Sequence, residues 1–370
     1  MIMNDALDYN AFDALIKQNK CFSVYRNPGE TAIHFVLQQH GEPEYLQNLR
    51  ALNGKEGFVF APFKVTDLTP VVLLHPDIVL EGEKRILDFL AESSANASTE
   101  IAPDINGNID CKLHDRNTYQ KAFELFHDAL RSGYCEKIVL SRPYSFSKPT
   151  EFSAGKTFQA ACKTYPEAFV YLFHNLKTGT WLGCAPELIL SGKGKNWQTV
   201  AQAGTKRISK DNETPDWDEK NIREQHIVTQ YIEKQLNAHH LTFTIKGPFS
   251  SRAGKLIHLK TEFCFRMFEE DKVGDLLDIL HPTPAVCGYP KKEAYCLITE
   301  KEGYERTYYS GFIGELVIQG KTGLFVNLRC MQIGTKGLTL FAGGGLLTSS
   351  ELVSEWEETE AKLQTMLSLM

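Results

Sequence analysis

The amino-acid sequence predicts an α+β fold with a large, mainly antiparallel sheet. Three observations carry that prediction. Short runs rich in β-branched and aromatic residues, bounded by turn formers, recur along most of the chain. Two longer stretches instead repeat apolar residues at helical spacing. Strand groups alternate with helices and no internal repeat is present, which favours the α+β class.

In chain order, Ile33 to Leu37, Gly57 to Phe63 and Val71 to Leu74 read as short strands joined by connectors, and no chemistry is legible among them. Ser93 to Asp110 is polar and rich in turn formers, so it reads as a loop or linker. It divides the chain into an N-terminal subdomain, 1–100, and a second region, 110–370. Tyr119, Ala122, Phe123, Phe126 and Leu130 then predict a helix over about 117–132, with Gly133 as its stop. Lys137 to Ser141, Phe169 to Phe173, Thr180 to Gly183, Glu187 to Ser191 and Gln198 to Gln202 read as strands. Asp216 to His239 lacks Gly and Pro and sets Val228, Tyr231, Ile232 and Leu236 along one stripe, predicting a long amphipathic helix. Tyr308 to Ile318, Leu324 to Ile333 and Leu338 to Ala342 are strand-like, the last two joined by a tight glycine-containing connection. A final helix runs to about Leu367 with Ser350 as its N-cap.

Composition narrows the function classes. The net charge of -6 arises from 40 basic and 46 acidic residues mixed throughout, so no basic stripe is available to track a nucleic-acid backbone. The start, MIMNDALDYN, carries acids where a signal peptide needs basic residues, and no apolar run approaches the ~18 residues of a membrane span. A cytoplasmic location is the expectation. The nine cysteines are widely spread without a C-x-x-C pair, which suits reduced thiols rather than a disulfide or zinc framework. Gly155-Lys156-Thr157, Gly192-Lys193 and Gly320-Lys321-Thr322 each lack part of a phosphate-binding loop and read as surface turns.

Candidate chemistry gathers on the two later helices. On the last one, Leu352, Trp356, Leu363 and Leu367 share a side, and Glu355, Glu358 and Lys362 form a neighbouring stripe. Taken alone, that stripe reads first as a solvated flank with an i, i+4 ion pair. The preceding Gly343-Gly344-Gly345, read as a turn, would let backbone N–H groups approach an anion closely. Glu224 lies on the inward stripe of the long middle helix, where an unpaired acid is costly, so it has either an ion-pair partner or a metal. Facing Glu358, it would hold a hard, oxygen-seeking cation such as Mg²⁺. Lys137 and Glu187 open strands, and His281-Pro282-Thr283-Pro284-Ala285 is a stiff, proline-bracketed segment.

Taken in order, these pieces resemble the chorismate-utilising enzyme family: EKIVLSR (136–142), APELIL (185–190), AGT (203–205), the helix through Glu224, IHLKT (257–261), LHPTPAVCG (280–288), YYSGFIGEL (308–316), NLRC (327–330) and FAGGGLLTSSELVSEWEETEAK (341–362). The resemblance covers roughly 110–370. It implies a fold with helices packed around antiparallel sheets and the site at their centre. It implies Mg²⁺ on Glu224 and Glu358 with Glu355 beside it, and chorismate as the substrate. Arg329, Tyr309, Lys362 and the backbone at Gly343 and Gly344 would grip its carboxylates, and Thr205, His258 and Ala285 would line its ring.

Within the family, Lys137 stands where the amine-installing members, anthranilate synthase and aminodeoxychorismate synthase, carry glutamine, which implies water rather than ammonia as the nucleophile and no glutamine amidotransferase subunit. Ala203 stands where aminodeoxychorismate synthase carries an attacking lysine. The HPTPAVCG segment resembles isochorismate synthases more than salicylate synthases, and salicylate synthesis or a non-catalytic scaffold are the alternatives. Lys137 is then the expected base and Glu187 the expected acid. An ordinary lysine, near pKa ~10.4, is mostly protonated at neutral pH, so that role requires a site that disfavours its charge, while Glu187 requires a raised pKa. Two positions depart from the family pattern: Gln225 for the usual histidine and Phe341 for the usual tyrosine.

Overall fold

The computed structural model describes residues 8–95, 116–207, 216–253, 256–267 and 272–370. The first part of the chain forms α1 (Asn10–Lys17), β1 (Cys21–Arg26), β2 (His34–Gln38), β3 (Glu44–Leu46), β4 (Gly57–Ala61), β5 (Val71–Leu74), β6 (Ile78–Glu81) and α2 (Glu83–Ala95). The stretch read as a linker starts inside α2, and the rest of it, with the proposed boundary, lies outside the described residues. Next come α3 (Arg116–Arg131), β7 (Lys137–Ser147), α4 (Ala154–Thr164), β8 (Phe169–Asn175), β9 (Gly179–Ala185), β10 (Leu188–Lys193), β11 (Asn196–Arg207) and α5 (Glu219–Ala238). The chain ends with β12 (Phe243–Ala253), β13 (Leu256–Arg266), α6 (Val273–Leu280), β14 (Gly288–Tyr289), α7 (Lys291–Lys301), β15 (Phe312–Ile318), β16 (Lys321–Val326), β17 (Cys330–Ile333), β18 (Gly337–Leu346) and α8 (Leu352–Leu367).

These strands form two nine-stranded sheets, ordered β14-β7-β18-β17-β9-β8-β1-β2-β6 and β12-β13-β11-β10-β16-β15-β4-β5-β3. All described pairings are antiparallel, and strands from the first 95 residues complete both sheets. Between the sheets lies an aromatic core that includes Tyr25, Phe58, Phe60, Phe169, Tyr171, Phe173 and Trp181. The outer face of the second sheet is covered by α5 and α6 through Val228, Ile232, Leu236 and Leu277. Helices α1, α2, α4 and α8 cover the first through Phe12, Leu90, Phe158 and Leu363. A strand covered on both faces has no solvent side to alternate toward, which is why GFVFA in β4 is an unbroken apolar run.

Four expectations need correction. The strand read from Tyr308 begins at Phe312, because Tyr308 to Gly311 forms a turn whose Tyr308 carbonyl accepts from the Asn327 side-chain amide (2.9 Å). The single strand read over Leu324 to Ile333 is two, β16 and β17, in different sheets. The chain crosses between them at Arg329, whose backbone is left-handed (φ 48°) and cannot continue a ladder. Gly343 to Gly345 is extended strand within β18, not a turn, because the β7 ladder runs on to Leu346. Finally, Glu351 rather than Ser350 occupies the N-cap of α8, and the Ser350 hydroxyl accepts from the Leu347 N–H (3.0 Å).

Candidate functional site

A cleft opens where β7 and β18 of one sheet meet α5, β11 and β13 of the other. Its floor is made by the glycine triplet. In the β7–β18 register Gly343 faces Ser141, Gly344 faces Leu140 and Gly345 faces Val139. A Cβ on Gly345 would lie 2.1 Å from Glu224 Oε1 and 2.9 Å from Lys137 Cε, and one on Gly344 would lie 3.1 Å from Glu355 Oε2. Two carboxylates therefore crowd a strand that has no side chains to offer, a third, Glu358, lies 3.4 Å from the same Gly344 position, and a larger residue at 345 would displace Glu224.

Each carboxylate is delivered by a helix and met by a lysine. The Asp218 side chain caps α5 by accepting from the Asn221 N–H (2.9 Å), and one turn later Glu224 points inward, its Oε1 3.0 Å from Lys137 Nζ. From α8, Glu355 pairs with Lys220, and Glu358 accepts from Lys362 Nζ (2.7 Å), which also donates to the Gly343 carbonyl (2.7 Å). Burial works to raise Glu224, but Lys137 and Lys220 outweigh it and hold the carboxyl below its ordinary range. Burial and the neighbouring Glu358 push Glu355 upward.

The opposite wall is polar. Gly204 (φ 72°) bulges β11, and the Thr205 N–H donates to Asn221 Oδ1 (3.0 Å). Burial, with Arg329, holds His258 well below its ordinary pKa and so neutral. Its Nδ1–H donates to the Gly204 carbonyl (3.0 Å) and its Nε2 accepts from Arg329 Nη2 (2.6 Å). Burial lowers Arg329 to about 10. Glu187, buried immediately before β10 rather than as its first residue, is pushed up to about 8 by desolvation against the pull of Lys137, Lys362 and Arg329. Tyr309 stacks on Phe341 with centroids 5.2 Å apart and planes 14° from parallel.

The structure thus brings Glu187, Thr205, Glu224, His258 and Ala285 to the cleft wall, together with Tyr309, Arg329, Gly343, Gly344 and Lys362. Glu358 lies at the cleft mouth, and Glu355 beneath Gly344. Lys137 is fully buried one layer behind Gly345 and Glu224, off the wall itself. Among the described residues no three acidic, histidine or cysteine side chains converge on one point as arranged. The donor chemistry nonetheless fits a hard cation: all three candidates offer oxygen, and Glu355 Oε2 is buried without a hydrogen-bond partner.

The family model for chorismate binding enzymes matches residues 70–370. The chain belongs to this family. As a chorismate-binding enzyme it is 28% identical over 243 residues to isochorismate synthase EntC of Escherichia coli K12, a match covering 63% of this chain and 62% of that one. It is 27% identical over 265 residues to isochorismate synthase MenF of Bacillus subtilis, covering 69% and 56%. In these matches the chain spans less than two thirds of each relative's length. The solved structure of the menaquinone-specific isochorismate synthase MenF from Escherichia coli superposes with a TM-score of 0.77 at 21% identity, over 99% of this chain and 92% of that one. DhbC from Bacillus anthracis, described as a 2,3-dihydroxybenzoate-specific isochorismate synthase, superposes with a TM-score of 0.75 at 22% identity, over 96% and 98%. Both show the fold. No helix among the described residues is long and apolar enough to cross a membrane.

One residue beside this cleft, Lys220, was not singled out from the sequence, and the contacts of Gln225 and His281 were not legible there. Lys220 lies four residues before Glu224, a helical spacing that could have been read. Gln225 donates to the Ala201 carbonyl (3.0 Å) and Thr261 Oγ1 (3.1 Å), tying α5 to β11 and β13. His281 is not part of the cleft lining: its Nε2 bonds the Pro62 carbonyl (3.1 Å), and burial lowers it to about 3.

Proposed function

We propose that this chain is an isochorismate synthase, adding water at C2 of chorismate while the C4 hydroxyl leaves. The observation that carries the reading is Glu187, a buried carboxyl whose pKa of about 8 keeps it protonated at neutral pH, on the wall of a cleft whose other buried side holds Lys137. Dehydration of a ring hydroxyl needs an acid, and attack by water needs a base. Glu187 donates a proton to the departing C4 oxygen, and Lys137 accepts one from the attacking water. Lys137 must first lose the proton that its pairing with Glu224 favours, and after the step the proton it has gained returns to Glu187, so none is consumed. Ala203 offers no amine, so no covalent bond to the protein forms.

Chorismate carries two carboxylates. Arg329 supplies a guanidinium fork for one of them, with Tyr309, Lys362 and the Gly343 and Gly344 backbone around it. Thr205, His258 and Ala285 flank the ring. Glu224, Glu355 and Glu358 would hold Mg²⁺, which supplies a hard positive charge for the other carboxylate. Incubation with chorismate and Mg²⁺, followed by chromatographic product analysis, tests the reading. Isochorismate without pyruvate supports it; stoichiometric pyruvate makes the protein a salicylate synthase instead.

A further inference from the structure

The edge of β7 that carries Lys137 is only partly covered. β14 pairs with it at two positions, Tyr289 with Lys137 and Gly288 with Ile138, and the Val139 N–H reaches the Cys287 carbonyl (2.7 Å). Beyond that point no strand among the described residues continues on this edge. The Val139 carbonyl and the Ser141 N–H nevertheless face the same buried side and must be paired there.

Two charged side chains outside the cleft meet that need. Arg306 Nη2 donates to the Val139 carbonyl (2.8 Å), and Arg306 Nη1 donates to the Val286 carbonyl (2.7 Å). Glu302 Oε1 accepts from both the Ser141 N–H and the Ser141 hydroxyl (2.8 Å each). Glu302 and Arg306 are bound to each other by two contacts of 2.6 Å and are 1% and 3% exposed. Tyr304 adds its hydroxyl to Ser141 Oγ (2.6 Å). Lys137, Val139 and Ser141 share one face of β7, and Val139 and Val286 both line the cleft.

We infer that Glu302 and Arg306 are positioning residues for Lys137, replacing the strand that β7 lacks and locking Val286 to the same edge. The inference rests on Lys137 as the proton acceptor proposed above. A buried ion pair brings little net stability, because desolvating both charges offsets their attraction, so its bonds to three backbone groups of the cleft wall are the more telling feature. A displacement of the base by about 1 Å is enough to cost about 10²-fold in rate.

The substitution R306K tests this. It keeps the charge against Glu302 but replaces a fork by a single nitrogen, which cannot serve Glu302, Val139 and Val286 together. The expected result is a kcat about 10- to 10²-fold lower with KM for chorismate changed less than about threefold, because Arg329 and Lys362 sit on other elements. A crystal structure of R306K should show Lys137 Nζ shifted from its contact with Glu224. Parental kcat in folded R306K, or an unmoved Lys137, overturns the inference. If the parent itself converts no chorismate, the proposed reaction is what has failed, and the crystal structure alone then decides: a shifted Lys137 supports the positioning role and an unmoved one refutes it. Should R306K not fold, Y304F, which removes one hydroxyl, is expected to lower kcat about threefold or more, and an unchanged value overturns the inference.

Discussion

Lys137 and Glu224 form a buried ion pair at 3.0 Å, and Gly345 is the residue that lets them meet. Because a Cβ at position 345 would fall 2.1 Å from Glu224 Oε1, the carboxylate cannot stay where it is if the glycine is lost. Gly345→Ala should therefore raise the Mg²⁺ concentration needed for half-maximal activity by about tenfold or more while leaving thermal unfolding cooperative. Titration of activity and of calorimetric heat with Mg²⁺ checks both halves.

Glu224→Ala and Glu358→Ala would each remove a carboxylate from the proposed Mg²⁺ site and are expected to abolish turnover. Chelator should do the same to the parent, reversibly. Full activity in chelator would remove the metal from the reaction.

Arg329 is buried, and its guanidinium donates to a neutral His258. Arg329→Ala should raise KM for chorismate by about 10²-fold, the loss of a charge-assisted contact of about 3 kcal/mol, with a smaller effect on kcat. Steady-state kinetics on the variant decide this, and an unchanged KM places Arg329 outside the substrate's reach.

As the proposed acid, Glu187 can donate only while protonated, so activity should be present below its folded pKa of about 8 and be lost as pH rises through that value. In Glu187→Gln that alkaline limb should disappear and kcat should fall by about 10² to 10⁴. A kcat profile between pH 6 and about 10 on parent and variant distinguishes these outcomes.

If Lys137 activates water and no protein nucleophile takes part, turnover in ¹⁸O-labelled water should place the label on C2 of isochorismate. Lys137→Ala should lower kcat by about 10² to 10⁴ while chorismate binding survives. Mass spectrometry of the product is the measurement, and an unlabelled hydroxyl rules out this route.

Much of this was legible in one dimension because the relevant signals are local. The inward stripe of α5 placed Glu224 on the buried side, and i, i+3, i+7 spacing placed Glu355, Glu358 and Lys362 together on α8. What spacing cannot show is which lysine meets which acid. The partners of Glu224 and Glu355 come from β7 and the start of α5, more than 80 and more than 130 residues away respectively. The Leu324 to Ile333 run misled for another reason. Apolar periodicity is continuous through it, but the left-handed backbone at Arg329 moves the chain to the other sheet, and no residue type there announces the break. Glu302 and Arg306 gave no sequence signal, since their bonds are to backbone groups on other segments.

The pairing of β4 with β15 also sets a schedule for the growing chain. Ala61 waits for Phe312, roughly 250 residues later, which at about 5–20 residues per second of synthesis is on the order of 10 to 50 s. Throughout that time GFVFA is an apolar strand with an unpaired edge toward β15. A ribosome-bound chain halted before β15 should therefore be sticky and protease-sensitive, and should depend on chaperones that hold exposed strands until translation brings the closing partner into reach.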